Sequence, residues 1–274
     1  MAHPAAQHAA PPAARRAARG GMSAALARHW PAYLMEAGGL AAFVIAASAL
    51  TTLLEFPGSP VHQAIASSLG RRVVLGVGMG GVIAAVVYSP WGKRSGAHIN
   101  PAVTWAYFRL GKIRGWDAVF YTVAQFGGAL AAVQLMQRVI GTPYRHPLID
   151  YVVTKPGPAG PLPAFAAEFV ISFVLMLVVL LAVNSERLEK RAGLFAGLLV
   201  AAYLTFEAPM SGMSLNPART FGSAFAARHW VDLWLYFVAP TAAMLLAAEL
   251  YLWFGGDAGN RRGPTYPVDP DPTP

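Results

Sequence analysis

Two short stretches of the chain carry the same pattern of small, polar and apolar residues. Each reads Ser-Gly-x-x-apolar-Asn-Pro-Ala, over residues 95–102 and again over residues 211–218. Asparagine is a favoured helix N-cap, and proline is favoured at the first helical position. Each pattern therefore predicts a short capped helix, preceded by a loop whose carbonyls are free to bind a polar solute. The motif residues are Asn100, Pro101 and Ala102 in the first copy and Asn216, Pro217 and Ala218 in the second.

The residue types that most enzymes use are missing or scattered. The chain has no cysteine, which excludes disulfides, thiolate metal sites and cysteine nucleophiles. Its seven histidines fall mostly in tails and loops, and no two are spaced as the metal-binding pair H-x-x-x-H. We therefore expect no enzyme, no metal and no other cofactor. Four glutamates lie inside apolar stretches, where ionisable groups indicate a candidate functional position; they are Glu36, Glu168, Glu207 and Glu249.

The composition indicates what kind of protein carries these motifs. Of the 274 residues, 55% are hydrophobic and only 12% are charged. A soluble domain carries about 25% charged residues, and a chain with so few could not cover a water-facing surface. The net charge of +8 would suit a nucleic-acid partner, but the basic residues do not cluster with aromatics in one segment. The composition therefore indicates a membrane protein with several spans and no nucleic-acid partner.

Six apolar stretches have about the 20 residues that a membrane-spanning helix needs. They cover about 32–54, 71–91, 116–140, 164–184, 192–210 and 233–254. Two shorter stretches, about 99–110 and 215–227, follow the second and fifth spans and contain the repeated motif. The pattern predicts two repeats, about 32–141 and 164–254, each with three spans and one half-span. Because three is odd, the repeats insert with opposite orientations, and interrupted segments at matching positions indicate a binding site or pathway.

The flanking segments and the basic residues predict the orientation. Residues 1–29 are rich in Ala, Pro and Arg, and residues 256–274 are rich in Pro, Asp and Gly, so we expect disordered tails. An Arg-rich transit peptide has a composition similar to that of the first tail. If the N-terminus is inside, 14 of the 21 basic residues lie inside, and the other seven are Arg71, Arg72, Arg138, Arg145, Lys155, Arg219 and Arg228. The positive-inside rule then places both termini in the cytoplasm.

Over residues 30–255, the chain resembles the aquaporin family of major intrinsic proteins, on its two Asn-Pro-Ala motifs and their places in the repeats. The resemblance implies an all-α membrane fold with six transmembrane helices and two re-entrant half-helices that meet at the bilayer centre. It also implies that Asn100 and Asn216 donate hydrogen bonds to a single-file solute. Glu36 and Glu168 then accept hydrogen bonds from the loops before the half-helices. A homotetramer in the lipid bilayer is implied as well.

The same resemblance implies a selectivity filter built from four positions. Three of them are Arg219 after the second motif, Met213 three residues before Asn216, and Leu204 in the fifth span. The fourth lies in the second span and is Val77 if the following loop is about three residues longer than usual, or Gly80 if it is not. His98 is expected either at the cytoplasmic pore mouth or as a loop histidine hydrogen-bonded to backbone.

These residues predict a passive channel for water or small uncharged solutes, such as polyols like glycerol, urea and neutral metalloid acids. Leu204 and Val77 stand where water-selective members carry His and Phe, whereas Thr220 stands where glycerol-conducting members carry Asp, so the preferred solute stays open. The alternative is a proton-coupled carrier that uses the acids within the spans. Glu207 and Glu249 receive no role. The Ala, Arg, Gly and Pro content is typical of a GC-rich bacterium, so we expect the inner membrane.

Overall fold

The computed structural model describes residues 21–254 and 266–267, and within them every long element is an α-helix. In chain order the eight principal helices are α1 (Met22–Glu55), α2 (Ser68–Tyr88), α3 (Pro101–Arg109), α4 (Gly115–Ile140), α5 (Pro161–Val183), α6 (Ala192–Phe206), α7 (Pro217–Ala227) and α8 (Leu233–Phe254). Short helices at Pro60–Ala64, Pro90–Ser95, Thr142–Arg145 and Ala208–Ser211, and 3₁₀ turns at Asp150–Val152 and Glu189–Arg191, connect them. The expected all-α architecture is confirmed.

Five helices in the described part of the chain, α1, α2, α4, α5 and α8, are long and apolar enough to cross a membrane. The fifth expected span is shorter than the sequence suggested, because α6 has 15 residues. At about 1.5 Å per residue, that length falls short of a hydrocarbon core of about 30 Å. The 3₁₀ turn before α6 and the short helix after it continue the chain in both directions, so the predicted span over 192–210 is a broken helix.

The two predicted half-helices form where the motifs lie. Helix α3 has nine residues and α7 has eleven, and both are too short to span a bilayer. Asn100 and Asn216 are their N-caps, and a proline occupies the first helical position of each. The side-chain oxygen of each asparagine accepts backbone N–H groups of the first turn, which would otherwise lack a partner.

The long helices pack in pairs through small residues. Helix α2 packs on α6, α1 on α4, and α5 on α8. A Cβ atom added to Gly80 would lie 2.4 Å from the Gly197 carbonyl oxygen, and one on Gly128 would lie 2.2 Å from the Ala37 carbonyl oxygen. Only glycine permits backbones to approach this closely, and such contacts drive helix association in lipid.

The structure describes only parts of the two expected tails, because residues 1–20, 255–265 and 268–274 lie outside the described residues. Residues 22–29 belong to α1, and the buried His29 ring nitrogen Nδ1 lies 2.8 Å from Asp117 on α4. The expectation of disordered tails was based on composition, which cannot show this contact between residues 88 positions apart. In the second tail, the described Tyr266 lies against the turn after α3. Arg15, Arg16, Arg19, Arg261 and Arg262, assigned to the inside, lie outside the described residues.

Candidate functional site

The two half-helices meet through their asparagines. The Asn100 amide nitrogen donates to the carbonyl of Leu215 at 2.7 Å, and the Asn216 amide nitrogen donates to the carbonyl of Ile99 at 2.7 Å. Each asparagine thus caps its own helix with its oxygen and holds the opposite loop with its nitrogen. These reciprocal bonds bring the N-terminal ends of α3 and α7, which carry partial positive charge, to one place.

The loops before the asparagines adopt the same unusual backbone. Gly96 and Gly212 have φ angles of 94° and 82°, and Ile99 and Leu215 have φ angles of 40° and 58°. Positive φ is uncommon outside glycine and costs about 1–3 kcal/mol where it occurs. Such strain persists only where the surroundings hold the backbone in place.

Two fully buried glutamates hold these loops. Glu36 accepts hydrogen bonds from the Ser95 hydroxyl at 2.8 Å, the His98 amide at 3.0 Å and the Ile99 amide at 2.5 Å. Buried carboxylates must be satisfied in this way, because an unpaired charge is costly in a low-dielectric environment.

The second repeat contains the same arrangement. Glu168 accepts from the Ser211 hydroxyl at 2.9 Å, the Ser214 amide at 2.5 Å and the Leu215 amide at 2.8 Å. Both glutamates therefore bind three donors of the loop that turns back toward a half-helix, which is a positioning role in the site.

Two tyrosines and a glutamine complete this support, and sequence reasoning missed them. The Tyr121 hydroxyl donates to the Ser95 carbonyl at 2.7 Å, and the Tyr236 hydroxyl donates to the Ser211 carbonyl at 2.6 Å. Gln125 donates to Glu36 at 2.8 Å. Within a span, a lone tyrosine or glutamine resembles an ordinary packing residue, so the sequence offered no signal for these contacts.

A cavity of about 630 Å³ opens beside the meeting point of the half-helices. Asn100 and Asn216 both line it, and so do His98, Met213 and Leu215. Most of its wall is apolar, and its other polar groups include the charged side chains of Lys93, Glu189 and Lys190. A largely apolar cavity with a few convergent polar groups is the usual form of a site for a small molecule.

His98 lies in the wall of this cavity and is 3% exposed. Its Nδ1 atom lies 3.2 Å from the Thr104 hydroxyl, which itself donates to the Asn100 carbonyl at 3.1 Å. Because the hydroxyl proton is used on that carbonyl, the network assigns the imidazole proton to Nδ1. The Nε2 atom is buried and has no hydrogen-bond partner among the described residues.

Arg219 is held by a group of buried hydroxyls. Its Nη1 atom donates to the Thr154 hydroxyl, which lies 3.3 Å from that of Thr220. The Thr220 hydroxyl also pairs with Ser214 in the loop before α7. Sequence reasoning missed Thr154, because it is 65 positions away in a loop without a recognisable pattern.

The structure does not bring Val77 to the other predicted filter residues. Met213 and Leu204 belong to one apolar cluster, to which α2 contributes Met79. Met79 is 1% exposed, whereas Val77 is 65% exposed. Two residues along a helix correspond to a rotation of about 200°, so these side chains point in nearly opposite directions. Gly80, the alternative filter residue in the second span, packs directly against the backbone of Gly197.

The two acids without a predicted role have different surroundings. Glu249 on α8 forms a two-pronged ion pair with Arg109 at the end of α3, so it fastens a half-helix to a spanning helix. The carboxylate oxygens of Glu207, just after α6, are buried without a hydrogen-bond partner among the described residues.

Comparison with known proteins gives consistent results. A family model described as "Major intrinsic protein" matches residues 24–251. Aquaporin NIP2-1 of Oryza sativa subsp. japonica is 34% identical over 83% of this chain and 73% of its own length. The probable aquaporin AqpM of Archaeoglobus fulgidus is 38% identical over 67% of this chain and 76% of its own. Aquaporin NIP2-2 of Zea mays is 35% identical, and the chain spans only 60% of its length.

A solved structure shares the fold. The aquaglyceroporin from Plasmodium falciparum superposes with a TM-score of 0.70 at 20% sequence identity. The superposition covers 81% of this chain and 95% of that one. At this identity, the likeness concerns the arrangement of the helices.

Proposed function

The chain belongs to the major intrinsic protein family, and from this premise we propose that it is a passive transmembrane channel for water and small uncharged solutes. The observation that carries the proposal is the reciprocal pairing of Asn100 and Asn216 beside the cavity. An asparagine amide has two N–H donors, and the opposite loop takes one of them. The remaining donors of the two asparagines support hydrogen bonding to a passing solute.

Exclusion of cations follows from the same geometry. Both half-helices direct their positive ends to the site, and Arg219 adds a fixed positive charge. A cation would have to shed its hydration shell in the presence of three like-signed sources. A neutral molecule is neither repelled by these charges nor required to lose an ionic hydration shell.

We propose that the filter consists of Arg219, Leu204 and Met213, with Met79 in place of Val77. Three apolar side chains and one guanidinium suit a solute that has both a carbon face and hydroxyl groups. A small polyol, urea or a neutral metalloid acid fits this description, and water remains a permeant. Met213 lines the cavity and also packs in the cluster with Met79 and Leu204, which supports a constriction at that point.

The alternative, a proton-coupled carrier, needs acids that exchange protons along a path. Glu36 and Glu168 are held by three loop donors each, and Glu249 is paired with Arg109. Asp117, at the start of the third predicted span, contacts His29 and Tyr33, which leaves Glu207 as the remaining acid inside the predicted spans. This arrangement favours the passive channel.

Flux into proteoliposomes tests the proposal. We expect stopped-flow light scattering to show faster water and glycerol equilibration than in empty vesicles, and no uphill accumulation under a proton gradient. Arg219→Val should admit cations or protons, read with an entrapped dye, while water flux remains. The matched control is Arg138→Val, at an exposed position near the end of α4. Proton-driven accumulation of solute would overturn the channel proposal.

We further propose that both termini are cytoplasmic, that the host membrane is a cell or inner membrane, and that the protein is a homotetramer. The distribution of basic residues supports the orientation, and membership in the family supports the assembly. The exposed residues Lys93, Glu189 and Lys190 line the cavity, so under this orientation its exposed end faces the cytoplasm.

A further inference from the structure

Tyr266 forms part of the cavity wall, although it comes from the segment after the last helix. It lines the same cavity as His98 and the two asparagines. Its ring centroid lies 5.7 Å from that of His98 and 6.4 Å from that of Tyr107. These contacts bring three rings together on the side of the cavity that the half-helix α3 and its preceding loop form.

The loop before α3 is shaped to receive this ring. A Cβ atom added to Gly96 would lie 2.7–2.9 Å from Cγ, Cδ1 and Cδ2 of Tyr266. No side chain larger than glycine fits there without moving the ring. Gly96 is also the residue that turns the loop, with a φ angle of 94°. The aromatic contact is therefore built on the backbone that precedes Asn100.

Backbone contacts anchor the segment beside the half-helix. The Tyr266 amide donates to the Lys112 carbonyl at 2.7 Å, and Tyr266 forms a parallel bridge with Ile113. Lys112 and Ile113 belong to the turn that follows α3, and Ile113 is buried. Pro267 is buried as well.

The chemistry of the ring suits an obstruction better than a solute ligand. A tyrosine is an uncharged phenol at neutral pH, and burial raises the pKa of Tyr266 further. A bulky, largely apolar group at the mouth takes space from a permeant that must pass His98. The Tyr266 ring offers the solute only one hydroxyl group for hydrogen bonding.

We propose that Tyr266 is a cap carried by the chain's own C-terminal segment, which narrows the cytoplasmic mouth and limits the entry of solute. This inference rests on the proposed channel function and adds a means of regulating it. A molecule or modification that releases the segment would raise permeability without a change in the filter.

Two variants remove the cap, and two controls keep it. Tyr266→Ala and a deletion of residues 264–274 should raise water and glycerol permeability several-fold in proteoliposomes. Tyr266→Phe keeps the ring, and a deletion of residues 268–274 keeps Tyr266 itself. Both controls should behave like the unchanged protein. Equal permeability of Tyr266→Ala and the unchanged protein would overturn the cap.

A second measurement does not depend on transport. The chain has no cysteine, and Val103 lines the cavity inside the mouth, so Val103→Cys introduces a single reactive thiol. In detergent, a charged methanethiosulfonate reagent should modify this thiol several-fold faster when Tyr266 is also replaced by alanine. Equal modification rates would again reject the cap. Faster modification with no solute flux in any variant would reject the channel and leave the cap standing.

Discussion

Asn100 and Asn216 each perform two tasks with one side chain. The oxygen accepts from the first turn of its own half-helix, and the nitrogen donates to the loop of the other repeat. A rotation of the amide by about 180° would break both bonds. The asparagines therefore join the repeats and orient the donors that the proposed solute would meet.

The filter assignment leads to a prediction at the scale of single residues. Met79→Phe, combined with Leu204→His, should shift the permeability ratio toward water over glycerol, because the ring narrows the constriction and the imidazole adds a polar contact. The measurement is stopped-flow flux of both solutes. The matched control is Val77→Phe with Leu204→His. Val77 is 65% exposed, so a phenylalanine at this position should not change the permeability ratio beyond the effect of Leu204→His alone. A larger shift of the ratio in this control would restore Val77 to the filter.

At the scale of elements, the crossing of α2 and α6 depends on facing glycines. Cβ atoms added to Gly80 and Gly197 would lie 2.4 and 2.5 Å from each other's carbonyl oxygens. Carbon and oxygen atoms cannot approach this closely, so a side chain at either position would separate the helices. Helix α2 carries Met79 and α6 carries Leu204, so the separation would also disturb the proposed filter.

Gly80→Ala should therefore lower the stability of the folded protein by about 1–3 kcal/mol through overpacking. Its control is the adjacent Gly81→Ala, since a Cβ atom at Gly81 has open space around it. Removing glycine from a helix interior stabilises it by about 0.5–1 kcal/mol, so the control should unfold at the same or a higher temperature. Thermal unfolding in detergent, followed by tryptophan fluorescence, measures both. Equal midpoints would show that the helices tolerate the added methyl group.

At the scale of the whole molecule, the two repeats build one site from equivalent parts. The two loops make equivalent contacts and have similar backbone angles, with Ser95, Ile99 and Asn100 in the first repeat matching Ser211, Leu215 and Asn216 in the second. Glu36 and Glu168 serve the two loops in the same way, and so do Tyr121 and Tyr236. Because the repeats insert with opposite orientations, these equivalent parts approach one another from opposite sides of the bilayer.

This equivalence predicts matched effects for Glu36→Gln and Glu168→Gln. A glutamine has one acceptor oxygen, so it cannot bind all three loop donors, and each lost bond to a charged group is worth about 1.5–3 kcal/mol. Both variants should lower the unfolding temperature and the water flux. Glu249→Gln should have little effect, because exposed ion pairs contribute about 0–1 kcal/mol and its side chain is 47% exposed. If Glu249→Gln lowers the unfolding temperature as much as Glu36→Gln and Glu168→Gln do, the proposed role of the buried glutamates in holding the two loops is wrong.

The parts that the sequence determined by itself depend on local signals. Apolar stretches of sufficient length predict spans, and Asn-Pro predicts where α3 and α7 begin, because capping involves residues two or three positions apart. The tertiary structure decided the contacts between distant residues. Which side of α2 faces the apolar cluster depends on where α6 packs. The close contact of Gly80 with Gly197 turns Met79, and not Val77, toward that cluster. Thr154 reaches Arg219, and Tyr266 reaches His98, across loops and segments without a periodic pattern. Their positions follow only from the packing of the complete bundle.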